Sequence, residues 1–236
     1  MSINEELWKG KYAAYPGETY EQGCTRVSEA LGIPQLESIL RKELFSVGGR
    51  VWYGAGKSKP YMVNCGLFSV DDSAEGWASL AHDVQLSLMK GMGCGVDYSA
   101  IRPYGSYIAG SGGTASGAIS TMHIINEIAR HIMQGNTRRA ALLSQLHWKH
   151  GDMDTFIDVK NWNEEYTRLK TIDAIGYPAP LDLTNVSVRL DNDFLDAYYN
   201  GDSVAHTVWN TTTYNMFSTS EPGIRFNADN QILTNA

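Results

Sequence analysis

Between residues 101 and 141 an amphipathic run of helix length is bracketed by two glycine-rich segments, and this arrangement constrains the fold more than any other stretch. The run, Ser116 to Met133, places Ile119, Met122, Ile125, Ile128 and Ile132 at helical spacing, which defines one apolar face. Ahead of it lies Gly110-Ser-Gly-Gly-Thr-Ala-Ser-Gly117. Glycines allow close backbone approach, and the free N–H groups of a helix start favour an anion such as phosphate. Behind it, Gln134-Gly-Asn-Thr-Arg-Arg139 offers two guanidiniums on a flexible loop. Arginine forks match phosphates or nucleobase edges bidentately. Two such loops flanking one helix suit a chain that reads nucleotides.

The charge balance narrows this further. With 19 Lys and Arg against 26 Asp and Glu, the net charge is −7, so no basic field exists to hold DNA or RNA. Free nucleotides need only a few local cations. At 236 residues, 43% of them hydrophobic, the chain suits one soluble domain with a real core. The three cysteines, Cys24, Cys65 and Cys94, are widely spaced and lack any CxxC pair, which fits neither a disulfide framework nor a zinc ribbon. No signal peptide and no apolar run of membrane length is present, which makes the cytoplasm the default expectation.

The pattern along the chain predicts two short helices over residues 18–46, broken near Gly32-Ile-Pro34. Strands are expected over residues 61–70, 138–147 and 184–190, and helices over 72–90, 152–159, 193–199 and 204–212. Strands alternating with helices favour an α/β architecture with both sheet faces covered.

Eight short motifs then occur in one order. They are Asn64-Cys65 with Asp71-Asp72-Ser73, Lys90-Gly-Met-Gly-Cys-Gly95, Ile101-Arg-Pro-Tyr-Gly105 and Gly112-Gly-Thr-Ala-Ser-Gly117. Gly135-Asn-Thr-Arg-Arg139, His150-Gly-Asp-Met-Asp-Thr-Phe-Ile157 with Lys160, Thr184-Asn-Val-Ser-Val188 and Glu221-Pro-Gly-Ile224 complete the series. In this order they resemble the large, catalytic chain of ribonucleotide reductases, most closely the adenosylcobalamin-dependent class II kind, over roughly residues 45–236. The resemblance implies an N-terminal helical region (1–48) followed by about the first half of a ten-stranded α/β barrel (49–236). It also implies reduction of ribonucleotides to 2′-deoxyribonucleotides by thiyl-radical chemistry. The implied radical source is adenosylcobalamin, with a separate metal-containing subunit as the alternative. The implied partners are a ribonucleotide substrate, a deoxynucleotide or ATP effector, the C-terminal half of the same enzyme, a dithiol reductant such as thioredoxin, and a second copy of the chain. No nucleic acid and no membrane is expected as a partner.

Residue roles follow motif by motif. On residue type alone, Cys65 reads as a small buried hydrophobe; by resemblance it is one of two thiols that reduce the ribose and become a disulfide, and no residue here matches the second. Asn64, beside it, and Arg138 are implied in substrate binding. Asp72, Ser73 and Arg102 match positions that hold the effector's ribose and phosphate, where a helix cap and a surface salt bridge would otherwise serve. Asn136 and Arg139, with Arg138, fall in the loop that passes effector identity to the substrate base. Thr234-Asn235-Ala236 resembles the approach to the family's Thr-Asn-Pro-Cys-Gly-Glu segment, with Ala236 in place of proline. Asn235 is thereby implied to hydrogen-bond the ribose, with the radical cysteine and the acid/base glutamate expected beyond Ala236, across an intein site, a split gene or a simple truncation of the sequence. The chain by itself is then expected to be inactive.

Two other readings compete: a non-catalytic nucleotide-binding regulatory module, and a metal-dependent hydrolase using His147, His150, Asp152 and Asp154. The expectation for that cluster is a structural turn, with no metal. Gly54-Ala-Gly-Lys-Ser58 has the ending of a P-loop, but Val51 stands where its first glycine belongs and Pro60 blocks the helix. Whether the substrate is a di- or triphosphate stays open.

Overall fold

The computed structural model describes residues 5–134 and 138–227. Helices come first: α1 (Glu5–Leu7, continued by a π-helical turn, Trp8–Tyr12), α2 (Tyr20–Leu31), α3 (Pro34–Arg41) and α4 (Gly49–Gly54). Strand β1 (Cys65–Ser69), helix α5 (Ala74–Met89) and strand β2 (Gly93–Asp97) follow. A ribbon of β3 (Tyr107–Ile108) and β4 (Gly113–Thr114) precedes α6 (Gly117–Arg130), and a second ribbon pairs β5 (Met133–Gln134) with β6 (Arg138–Arg139). The chain continues through β7 (Leu142–His147), α7 (Met153–Asp158), α8 (Glu164–Ile172), β8 (Thr184–Leu190), α9 (Asn192–Tyr199), α10 (Ser203–Thr219) and β9 (Gly223–Phe226).

Strands β1, β2, β7, β8 and β9 form one parallel sheet in that spatial order. Each new strand therefore joins the same growing edge. Right-handed crossovers that always step the same way put every connecting helix on one face, which is how a barrel is wound. The core bears this out. Cys94, Val96, Leu142, Leu146, Val186 and Val188 pack with Leu80, Val84 and Leu88 of α5, Met122 and Ile125 of α6, Phe156 of α7, Phe194 of α9 and Val208 of α10. Side chains alternate along a strand, so the intervening positions point the other way. These are Cys65, Leu67 and Ser69; Gly93, Gly95 and Asp97; Leu143, Gln145 and His147; Asn185, Ser187 and Arg189; Gly223 and Arg225. The helix-covered face is apolar, whereas the open face carries most of the sheet's polar groups. A helical segment leading into the first strands of an α/β barrel is the architecture expected, and the five strands described form its open sheet.

The leading helices have their own core of Trp8, Cys24, Val27, Leu36, Leu40, Trp52 and Ala55. The Trp8 ring meets Tyr20 and Trp52 edge-on, each at 5.3 Å between centroids. Helix α2 starts on a Thr19–Gln22 capping box and stops at Gly32 in the left-handed region, and Pro34 then opens α3. The break expected at Gly32-Ile-Pro34 is the break observed.

Other elements depart from expectation. The strand expected over residues 61–70 is confined to Cys65–Ser69, because pairing with β2 begins only at Cys65. The span 138–147 divides between ribbon strand β6 and sheet strand β7. Helix α10 continues to Thr219, seven residues past the expected end. No described helix is long and apolar enough to cross a membrane.

Candidate functional site

Cys65 opens β1 on the open face and is the exposed thiol of the three. Its Sγ lies 3.3 Å from where a Cβ on Gly93 would sit, so the glycine in register beside it leaves the sulfur room. Cys94 is one residue further along the neighbouring strand and so faces the helices; it is buried, and burial pushes its thiol up to about 12. Cys24 is buried in the helical region, and burial raises its thiol as well. Exposure separates one accessible thiol from two buried ones.

Asn64 precedes Cys65 but directs its side chain away from the sheet. Its Oδ1 accepts from the Arg50 N–H at 3.2 Å, and its carbonyl accepts from the Gly93 N–H at 2.8 Å. It thereby ties the start of α4 to strands β1 and β2, a use not foreseen from the sequence.

Beyond Cys65, towards the C-terminal ends of the strands, a cleft of about 460 Å³ is lined by Leu67, Ser69, Asp97, Ser99 and Arg189 among others. In parallel sheets and barrels this end is where ligands collect. Asp97 Oδ1 accepts from the Ser99 N–H (3.0 Å) and hydroxyl (2.5 Å), and Oδ2 faces Arg189 Nε at 3.5 Å. Ser99 Oγ in turn accepts from the His147 N–H at 2.9 Å. Gln145, in register between Asp97 and Ser187, is 1% exposed, and neither atom of its amide has a partner among the described residues. Sequence reading missed Asp97, Gln145 and Arg189. They stand 48 and 44 residues apart in succession, and only strand register brings them into one row's reach.

Asp72 and Arg102 are brought together: Arg102 Nε donates to Asp72 Oδ2 at 2.5 Å, with both side chains partly exposed. Ser73, not Asp72, caps α5, its hydroxyl accepting from the Gly76 N–H at 2.9 Å. Arg138 and Arg139 form β6 by their backbone; their side chains, Asn136 and Asn235 lie outside the described residues.

The helix start after Gly110–Gly117 does attract an anion, but the chain supplies it. Asp152, 8% exposed, accepts from the Ala118 N–H at 3.0 Å and the Tyr104 N–H at 2.8 Å. Gly117, at φ +79°, is required because a Cβ there would fall 2.7 Å from Asp152 Oδ2. The reading of this loop as a phosphate cradle is corrected on that ground. His150 belongs to the same turn, with Nε2 2.6 Å from the Ile101 carbonyl and Nδ1 accepting from the Asp152 N–H at 3.0 Å. His147 Nε2 lies 2.7 Å from Asp191, which also accepts from Trp148 and caps α9. Burial opposes the charge on Asp191, and these hydrogen bonds outweigh it, lowering its carboxyl. Among the described residues no three of these groups converge as a metal-ligating set.

Known proteins resemble this chain in sequence and in fold. Residues 63–227 match the family described as ribonucleotide reductase, barrel domain. The vitamin B12-dependent ribonucleotide reductase of Streptomyces clavuligerus is 30% identical over 197 residues, covering 78% of this chain and 20% of that protein. The ribonucleoside-diphosphate reductase large subunit of vaccinia virus is 33% identical over 146 residues, covering 60% and 19%. In fold, the Actinobacillus ureae class Id ribonucleotide reductase alpha subunit superposes with a TM-score of 0.75 at 18% identity, over 94% of this chain and 39% of that one. The chain spans about a fifth of the length of these curated relatives. A parallel sheet wound in one direction, with an exposed thiol on its open face and a family match across all five strands, makes this chain a member of the ribonucleotide reductase barrel-domain family.

Proposed function

We propose that this chain forms part of the catalytic chain of a ribonucleotide reductase and contributes the reducing thiol Cys65 to the removal of the ribose 2′-hydroxyl. The observation that carries the reading is the two-sidedness of the sheet. Its apolar face is closed by helices, while its open face presents Cys65 beside Gly93 and, beyond it, the Asp97–Arg189 cleft. In the reaction the 2′-hydroxyl leaves as water, and two thiols supply two electrons and two protons as they become a disulfide. Cys65 is one of them. The second thiol, the radical cysteine and the acid/base glutamate belong to the remaining part of the enzyme, so residues 1–236 alone are inactive in this reading. Asn64 supports the strand under the substrate, Arg138 contacts the substrate, and Asn235 meets the ribose. The division into a helical region (1–48) and a barrel portion (49–236) belongs to the same proposal, as do a cytoplasmic location, a dithiol reductant and pairing with a second copy.

The name of the Streptomyces relative supports adenosylcobalamin as radical source, which when bound supplies the initiating radical. The large-subunit name of the vaccinia relative supports a separate radical-bearing subunit instead. The cleft of about 460 Å³ is too small to enclose a corrin, and the chemistry assigned to this chain is confined to its own side chains.

For regulation, Asp72, Ser73 and Arg102 bind the effector and Asn136, Arg138 and Arg139 relay its identity. The Asp72–Arg102 pair must open or be bridged for this, giving two arrangements that an effector can distinguish. The central test is Cys65→Ser in the complete enzyme. Radical formation should persist while product formation with a dithiol stops; turnover comparable to wild type would refute the role of Cys65.

A further inference from the structure

Away from the open face, three segments converge on a cleft of about 120 Å³ lined by Arg50, Tyr53, Lys57, Lys59, Tyr61 and Lys90, among others. Helix α4 brings Arg50 and Tyr53, the turn after it brings Lys57 and Lys59, and the end of α5 brings Lys90 and Gly91. The chain as a whole is acidic, yet four cations line this cleft and no carboxylate does. Lys57, Lys59 and Lys90 have no carboxylate partner among the described residues. The C-terminal ends of α4 and α5 offset part of this charge, at about half a unit each. The lysines alone leave roughly two positive charges over.

The cleft is also built. Arg50 is 7% exposed and its guanidinium lies against Gly91, where a Cβ would fall 2.2 Å from Cζ; Gly91 itself sits at φ +84°. Lys57 lies over the Tyr53 ring at 3.1 Å from its centroid, and Lys90 over Tyr61 at 5.7 Å. The aromatic rings hold the lysine stems beside the fixed guanidinium. The volume is well below the ~300 Å³ at which small-molecule pockets begin. It admits one tetrahedral group rather than a nucleoside.

We propose that the Arg50–Lys57–Lys59–Lys90 cleft is a binding site for a phosphate group, either inorganic or at the end of a polyphosphate chain. Arginine supplies a fork and lysine a point charge, the combination that phosphate oxygens accept. Arg50 also reaches the strand of Cys65, through its N–H to Asn64 Oδ1 and the Asn64 carbonyl to Gly93. An anion held there clamps the helical region to β1 and β2. The site is separate from the Asp72–Arg102 pair and does not depend on the reductase reading.

The test is calorimetric titration of the 236-residue chain with inorganic phosphate, tripolyphosphate and ATP, at ionic strength fixed with chloride. Lys57→Gln/Lys90→Gln should bind tripolyphosphate at least tenfold more weakly, while Lys42→Gln/Lys149→Gln, with the same loss of charge, should bind as wild type. Arg102→Ala should also leave tripolyphosphate binding unchanged, which separates this cleft from the effector site. In the Arg102→Ala background, equal affinities for tripolyphosphate and ATP assign the site to the phosphate chain, and tighter ATP binding that is lost with Lys57→Gln/Lys90→Gln assigns it to a nucleotide tail. Absence of saturable binding in wild type, or equal weakening in the two double variants, would overturn the proposal. Far-UV circular dichroism and unfolding midpoints in chloride, expected to be unchanged, establish that the variants fold.

Discussion

Replacing Asp152 with alanine tests the claim that the chain fills its own helix-start anion site. The carboxylate is buried and accepts from two backbone N–H groups, of Tyr104 and Ala118, at 2.8 and 3.0 Å. Hydrogen bonds to a charged acceptor contribute about 1.5–3 kcal/mol each, and a buried N–H left unpaired costs about 1–3 kcal/mol. The negative charge at the N-terminus of α6 adds up to about 1 kcal/mol. Asp152→Ala should therefore destabilise the chain by about 3–5 kcal/mol, a large share of the ~5–15 kcal/mol typical of a domain. Asp152→Asn should fall between, since it keeps one acceptor oxygen but turns an NH₂ towards the other N–H. Urea unfolding followed by tryptophan fluorescence measures both, with an unchanged slope confirming a change in stability alone. A loss below about 1 kcal/mol in the alanine variant, or an asparagine variant as stable as wild type, would show that the loop does not depend on this carboxylate.

Native thiol titration should modify Cys65 quickly and leave Cys24 and Cys94 until the chain unfolds, because the latter two are buried and burial raises their thiols; rapid reaction of all three would contradict the packing. Asp182 should make stability fall in acid. Burial opposes its charge, but hydrogen bonds from Arg130, Lys170 and Asn126 prevail and bring its carboxyl from 3.8 to about 2. A lowered folded-state value gives stability that is complete above the unfolded value, so about 2 kcal/mol should disappear as pH falls from ~4 to ~2, and Asp182→Asn should flatten that part of the profile. An unaltered acid limb in the variant would place the sensitivity elsewhere. In the complete enzyme, Arg102→Ala should weaken effector binding and flatten substrate preference, typically by about 1–3 kcal/mol of coupling; unchanged effector affinity in a direct binding assay would refute the effector map.

Much of the fold was legible where local chemistry and burial agree. Thr184–Leu190 alternates buried and less buried positions and was expected at those residues. The α2–α3 break follows from Gly32 and Pro34. Strand β2 was missed because its open-face positions are Gly93, Gly95 and Asp97, leaving Cys94 and Val96 as its only apolar signal. Strand β9 is four residues long and directly follows Pro222, which reads as a turn. The extra length of α10 comes from tertiary contacts that outweigh the low helix propensity of its Thr and Asn residues. Its face of Ala205, Val208, Thr212 and Asn215 is buried, and Asn215 Nδ2 donates to the Ile157 carbonyl.

The candidate site was legible in a different sense. Cys65 could be singled out among three cysteines only through the motif beginning at Asn64, since a cysteine in an apolar strand reads as core. The structure supplies the physical reason for treating it apart. Register sets Cys65 beside Gly93 on the open face, and the one-residue offset sends Cys94 to the helix side. Asp97, Gln145 and Arg189 carry no local signature at all, because each lies in a short strand (GCGVD, LLSQLH and TNVSVRL) that marks none of its polar residues out from the others. They acquire meaning only when four crossovers of the same hand align their strands. A face assembled that way keeps its polar groups in register for as long as the helices hold the other face. Changes in the α5 and α6 core should therefore disturb Cys65 and the Asp97 cleft together, although neither touches those helices through the open face.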